Sequence, residues 1–249
     1  MEAPHPIADR HAAPRVARGR WWQWPAPCGV CATWTRPAGL CADCLRRFAP
    51  PVPRCRRCAI RVPGGVQVCG SCLHDPPRFE RAVAAFDYAF PWDRVIAAFK
   101  FRDGLEWAAP LAWQLAAATA ADAAEVDLVT AVPLADARLR ERGYNQAWEI
   151  AHRAARTHRL PARHDLLQRL RDTPRQMQLD KRQRDANLRG AFMPGDAAAR
   201  RAVHGRHVAL VDDVLTTGTT AGEATRALLE AGARSVQLWV LARTARKAG

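Results

Sequence analysis

The sequence predicts an α/β domain built on a parallel sheet and, ahead of it, a small metal-stapled module. Two observations carry this. All eight cysteines of the 249 residues lie between Cys28 and Cys72, which confines their chemistry to one short stretch. Beyond Asp75-Pro76-Pro77, short apolar runs alternate with longer helix-like stretches, the pattern of strands covered by helices. With 49% apolar residues, the chain has enough material for one ordinary core plus a small domain. The expected divisions are a basic N-terminal segment without fixed structure (1–24), a cysteine module (25–77) and the α/β domain (78–249).

The Arg-rich start is not followed by the apolar region and cleavage site of a secretory signal, and no run of roughly 18 apolar residues could span a bilayer. The expectation is a soluble cytoplasmic protein without membrane insertion, a setting in which paired cysteines serve as metal ligands rather than disulfides. The formal net charge of +14 suggests an anionic partner such as nucleic acid. Eight thiolates holding two Zn²⁺ ions would still leave roughly +10. The excess of arginine over lysine and the many alanines also fit a GC-rich coding bias, so a merely solvated basic surface stands beside nucleic-acid contact.

The cysteines form four C-x2-C knuckles: Cys28 and Cys31, Cys41 and Cys44, Cys55 and Cys58, Cys69 and Cys72. Each knuckle lets two thiolates meet one metal at about 2.3 Å, and two knuckles close a tetrahedral structural site. Four make two sites. An open catalytic zinc needs a free position and a redox pair normally occurs once beside a βαβ unit, so both fit less well. The simplest grouping is sequential, Cys28, Cys31, Cys41 and Cys44 around one ion and Cys55, Cys58, Cys69 and Cys72 around the other; spacing does not exclude interleaving. So small a module has to take its folding energy from the metal. Arg54, Arg56, Arg57 and Arg61 surround the third knuckle, and Trp21, Trp22, Trp24 and Trp34 lie in or before the first site. Such residues attract and stack single-stranded nucleic acid, or else the tryptophans cover the zinc sites and pack on the next domain.

In the second region, Val83 to Tyr88 reads as a strand, Leu111 to Ala121 as a helix led in by Pro110, and Val126 to Val132 as a strand. Asn145 to Thr157 reads as a helix with Ala147, Trp148, Ala151, Ala154 and Ala155 on one face. Val208 to Val211 is a short run for a central strand buried on both faces. Asp212 and Asp213 follow it, where ligands of open α/β sheets bind, and two acids there can accept hydrogen bonds from a sugar diol. Thr216, Thr217, Gly218, Thr219 and Thr220 supply hydroxyls and backbone N–H groups at a turn entering a helix, which suits a phosphate; Gly218 permits close backbone approach. The helix runs to about Glu230, and Val236 to Leu241 makes a further strand. The Walker pattern is absent.

This string resembles the phosphoribosyl pyrophosphate motif of type I phosphoribosyltransferases. Three further stretches are similar to the ComF family (ComFC/GntX-like proteins), as is the cysteine module: Lys100-Phe-Arg-Asp-Gly104; Val132-Pro-Leu134 leading into Arg142-Gly-Tyr-Asn-Gln-Ala147; and Arg171-x-Thr173-x-x-Gln176-x-x-Leu179 leading to Arg184-x-x-Asn187-x-x-Gly-Ala-Phe192. The resemblance spans residues 25 to 243. It implies a type I phosphoribosyltransferase fold behind a double zinc ribbon, Asp212 and Asp213 on the ribose hydroxyls, and Thr216 to Thr220 on the 5'-phosphate. It also implies a pyrophosphate-binding loop after Val132-Pro-Leu134, with Arg138, Arg140 and Arg142 as candidates and Mg²⁺ bridging the leaving group. Members are associated with handling incoming single-stranded DNA in natural transformation, which would make single-stranded DNA and a DNA-uptake helicase partners.

Phosphoribosyl transfer passes through an oxocarbenium-like state, so the protein has to neutralise a departing polyanion and hold the sugar still. The Arg171 to Asn187 stretch has no clear period, which suits a loop closing over the site with Gln176 and Arg184, or a solvated loop. Lys100 could contact ligand or form a structural ion pair. No histidine has spacing that selects it as an acid or base toward an acceptor. Two functions therefore stand: a phosphoribosyltransferase with unknown acceptor, or a non-catalytic single-stranded DNA-binding or scaffold protein built on that fold.

Overall fold

The structure is a computed structural model and describes residues 25–36, 39–101, 104–170 and 190–245. The cysteine module comes first. Its two-residue strands β1 (Ala26–Pro27) and β2 (Trp34–Thr35) pair antiparallel around the first knuckle, and its helices α1 (Ala42–Phe48) and α2 (Gly70–His74) each start directly after a cysteine, Cys41 and Cys69. The rest follows as β3 (Arg81–Asp87), α3 (Trp92–Lys100), α4 (Ala108–Ala118), β4 (Leu128–Ala131), α5 (Asp136–Arg142), α6 (Gln146–His158), β5 (Leu167–Arg169), β6 (Phe192–Pro194), α7 (Ala197–Val203), β7 (His207–Leu215), α8 (Thr219–Glu230) and β8 (Ser235–Arg243). Strands β3, β8, β7 and β4 form one sheet in that order, all neighbours parallel. β5 and β6 make a separate antiparallel pair.

Strand alternation sorts the core into two layers. Ala209 and Val211 of β7 face a layer containing Leu111 and Leu115 of α4 and Ile150 and Ala154 of α6. Val208 and Leu210 face the opposite layer, with Ala224 and Leu228 of α8 and Phe192 of β6. The central position expected for Val208 to Val211 is thus observed. The α6 start is also as the sequence indicates: the Asn145 side chain accepts from the Ala147 and Trp148 N–H groups and caps the helix. The buried face of α6 includes Gln146 and Ile150, while Trp148 is only half-buried.

Three elements differ from the sequence expectation. α4 begins before Pro110, which lies in the first turn, where a missing N–H leaves no helical bond unmade. β4 is confined to Leu128–Ala131, although the Val132 N–H still reaches the Val211 carbonyl at 2.9 Å. β7 runs on through Asp212 and Asp213 to Leu215, because β8 pairs with it that far, Asp212 opposite Val240 and Leu215 opposite Arg243. The acids therefore sit within the strand on the β8 side and past the ladder only on the β4 side, where pairing ends at Ala131 and Val211.

The cysteine module is fastened to the sheet domain at both of its halves. A Cβ on Gly29 would fall 1.6 Å from Cη2 of Trp107, so the first knuckle lies flat on that indole; the Trp92 indole N–H donates to the Phe48 carbonyl at 2.7 Å. In the second half, Asp87 at the end of β3 accepts from Arg54 at 2.8 Å and from Arg61. Arg57 donates to the Glu80 carbonyl at 3.1 Å, and the Arg56 carbonyl accepts from the Ala82 N–H at 3.1 Å. The arginines around the third knuckle thus join two domains. No helix among the described residues is long and apolar enough to cross a membrane.

Candidate functional site

The eight cysteines gather as the sequential grouping expects: Cys28, Cys31, Cys41 and Cys44 in one cluster, Cys55, Cys58, Cys69 and Cys72 in the other, with the sulfurs of each within 4.8 Å of one another. A tetrahedron with metal–sulfur bonds of about 2.3 Å has edges of about 3.8 Å. The Cys31–Cys41 and Cys58–Cys69 sulfur separations are 3.6 and 3.7 Å, so either cluster can hold a zinc-sized ion. Backbone N–H groups point at sulfur as well, Cys41 to Cys28 at 3.4 Å and Cys69 to Cys55 at 3.3 Å. The thiols respond unequally. Hydrogen bonds from the Thr33 side chain and backbone bring Cys31 down to about 6. At Cys55 burial opposes ionisation, but the N–H groups of Cys69, Cys58 and Arg57 outweigh it and bring the thiol to about 7. Burial and the neighbouring sulfurs push Cys44 and Cys72 upward. Four sulfurs this close ionise together only around a cation.

At the other site, adjacent residues of β7 face opposite sides of the sheet, so the acid pair straddles it. Asp213 is buried on the α3–α6 side. Its Oδ2 accepts from Gln146 Nε2 at 2.9 Å and pairs with Lys100 Nζ at 3.0 Å. Lys100 thus forms an ion pair with an acid of the motif. Asp212 keeps an Oδ1 contact with the Asp213 N–H at 2.8 Å. Burial first, and then the charge of Asp213, push the Asp212 carboxyl up to about 7 against the pull of Lys100 and Arg169.

The turn between β7 and α8 is formed by Thr216, Thr217 and Gly218, exposed at its first two positions. Gly218 has φ +86° and precedes the first residue of α8; a side chain in this left-handed region would be strained. The Thr217 and Thr219 hydroxyls lie 3.0 Å apart. The first N–H groups of a helix have no carbonyl of their own to bond and carry the positive end of its dipole. Strand end, glycine turn and helix start therefore present N–H groups and hydroxyls of the kind an anion accepts from, beside two carboxylates.

The remaining candidates are placed as follows. Arg138, Arg140 and Arg142 lie on α5, a helix rather than the expected loop, because the chain turns helical at Asp136 and closes at Gly143 with φ +78°. Their spacing puts Arg138 and Arg142 on one face and Arg140 on another. Arg142 lies over the Phe101 ring at 5.2 Å. Gln176 and Arg184, like Trp21, Trp22 and Trp24, lie outside the described residues. Trp34 is 70% exposed and so covers neither cluster. Three of the histidines have hydrogen-bond partners within the fold: His158 with the Thr119 hydroxyl at 2.9 Å, His207 with the Ser235 hydroxyl at 2.7 Å, and His152 with the Trp148 carbonyl at 2.9 Å.

Sequence reasoning did not single out Gln146, Arg169 or Arg243. The signals for Gln146 were its place in the Arg142-Gly-Tyr-Asn-Gln-Ala147 stretch and a polar residue on the apolar face of α6. Arg169 draws on the Asp212 carboxyl by charge, and nothing in its local sequence marks it. Arg243 closes an apolar strand, and nothing local distinguishes it.

Residues 102–249 match the family described as phosphoribosyl transferase domain. The DNA utilization protein YhgH of Escherichia coli (strain K12) is 33% identical over 234 residues, covering 92% of this chain and 93% of that protein. Its counterpart in Salmonella typhimurium is 34% identical over 208 residues, covering 81% and 88%. Competence protein F of Haemophilus influenzae is 32% identical over 197 residues, covering 77% and 85%. Among solved structures, glutamine phosphoribosylpyrophosphate amidotransferase from B. subtilis complexed with ADP and GMP is 25% identical with a TM-score of 0.38, covering 55% of this chain and 26% of that one.

Proposed function

The chain belongs to the ComF family, a phosphoribosyl transferase domain behind two four-cysteine clusters, and from that premise we propose that it binds phosphoribosyl pyrophosphate or a related ribose phosphate at the end of β7. The observation that carries this reading is the Gly218 turn, which opens α8 directly beside Asp212 and Asp213. In it, Thr216, Thr217, Gly218, Thr219 and Thr220 hold the 5'-phosphate by hydroxyls and N–H groups. Asp212 and Asp213 hold the ribose hydroxyls. Lys100 and Gln146 fix Asp213, so that the sugar meets a carboxylate already oriented. Arg138, Arg140 and Arg142 supply positive charge toward the pyrophosphate.

Burial and the charge of Asp213 disfavour the ionised form of Asp212, and a divalent cation held beside it would favour that form. Mg²⁺ bound with the ligand would neutralise the leaving pyrophosphate, completing its shell mostly with phosphate oxygens and water. In the same reading, Zn²⁺ fills both cysteine clusters as a structural ion.

The relatives' names, DNA utilization protein and competence protein, support a setting in DNA uptake. The net charge of +14 and the exposed Trp34 supply the attraction and the stacking surface that single-stranded DNA uses. The test of the ligand site is isothermal titration of phosphoribosyl pyrophosphate with Mg²⁺ into zinc-loaded protein, beside an Asp212→Asn, Asp213→Asn variant. Binding that the variant loses supports the site. An absence of binding to the native protein would overturn it and leave the DNA-binding scaffold.

A further inference from the structure

Arg243 ends β8 and lies opposite Asp87 of β3 and Leu215 of β7 in the sheet register. Its Nε donates to the Cys58 carbonyl at 2.9 Å, and its Nη1 to the carbonyls of Leu215 at 2.9 Å and Thr216 at 2.7 Å. One planar guanidinium thereby ties a knuckle of the second cysteine cluster to the start of the phosphate turn. Its donors are fixed relative to one another, so displacing one set of carbonyls disturbs the other.

A second observation places the same parts together. A cleft of about 760 Å³ is lined by Cys58 and Cys72 from the cluster, Thr217 and Thr219 from the turn and helix start, and Arg243. The knuckle that offers the Cys58 carbonyl rests on the sheet through Ala59 and the Arg56 carbonyl, and thiolates around a metal would fix the rest of its geometry. The first cluster docks elsewhere, with Gly29 on Trp107 and Phe48 bonded to Trp92.

We propose that Arg243 is a positioning residue that makes the shape of the phosphate turn depend on metal occupancy of the Cys55, Cys58, Cys69 and Cys72 cluster. The second zinc site thus tunes ribose-phosphate affinity, and the first does not. The affinity consequence rests on the ribose-phosphate reading above; the coupling of cluster to turn does not.

The experiment is hydrogen exchange by mass spectrometry on the full zinc-loaded chain and on Cys69→Ser, Cys28→Ser, Arg243→Lys and Cys69→Ser with Arg243→Lys, with ligand titration on the same samples. Cys69→Ser and Arg243→Lys should each speed exchange over residues 216–222 by about tenfold, with no further gain in the double variant, while 208–211 keep their protection. Cys28→Ser should leave 216–222 unchanged. Both effective variants should weaken phosphoribosyl pyrophosphate binding by about tenfold. Unchanged exchange in Cys69→Ser, an equal effect of Cys28→Ser, or additive effects in the double variant would overturn the coupling. Were Arg243→Lys to lose protection at 208–211 as well, the contrast between Cys69→Ser and Cys28→Ser would decide alone. A linked exchange pattern in a protein that binds no ligand would sink the ribose-phosphate reading and leave the coupling standing.

Discussion

Asp212 and Asp213 are neighbours in sequence but answer to different faces of the sheet, so their substitutions should separate. Asp213→Asn removes the partner of Lys100, a cation whose side chain is only 14% exposed. We expect it to lower stability by about 1–3 kcal/mol, read as a denaturation midpoint. Asp212→Asn should act in the opposite direction. A carboxyl whose folded pKa is raised, here to about 7, binds its proton more tightly in the folded state, so stability falls as pH rises from the unfolded value of about 4 to about 7. At pH 8 Asp212→Asn should melt at least about 2 °C above the native protein, with the gap closing toward pH 5. An equal or lower melting temperature at pH 8 would contradict the strained acid pair. A bound cation favours the ionised form, so Mg²⁺-dependent ligand affinity should rise between pH 6 and pH 8.

At the scale of elements, the cysteine clusters and the contacts that fasten the module to the sheet carry the predictions. Removing metal with a chelator should release two zinc ions per chain and unfold the module, because helices as short as α1 and α2 do not persist alone. Retained module structure without metal would contradict this. Asp87→Ala leaves Arg54, 18% exposed at its side chain, without its carboxylate. It should cost about 1–3 kcal/mol and raise protease sensitivity between the domains.

What the sequence made legible at this scale was local. Four equal knuckles, an asparagine cap before α6, and a strand–acid–glycine–helix string are each written within a few residues. The long-range parts were not. Gln146 meets Asp213 across 67 residues, and the Cys58 carbonyl meets Arg243 across 185. The hairpin of β5 and β6 uses three-residue strands on either side of a long polar stretch, too short to show alternation. Pro110 misplaced the start of α4 because proline is tolerated throughout a first helical turn, not only at its first residue. Nor does charge alone reveal a partner: Asp87, the acid that takes Arg54 and Arg61, lies in β3, far along the chain from both.

Across the whole molecule, a parallel sheet brings three strand ends, the second cysteine cluster and the phosphate turn to one end, in a chain of net charge +14. Binding of a single-stranded oligonucleotide should therefore weaken steeply with salt, and Trp34→Ala should reduce it without altering zinc content; salt-independent binding would point away from a backbone contact. The central claim remains the ribose-phosphate site, and a crystal structure of the full zinc-loaded chain with Mg²⁺ and phosphoribosyl pyrophosphate tests it most directly. Phosphate oxygens are expected about 3 Å from the backbone nitrogens of Thr217, Gly218, Thr219 and Thr220, with the ribose hydroxyls on Asp212 and Asp213. A ligand seated elsewhere, with this turn empty, would contradict it.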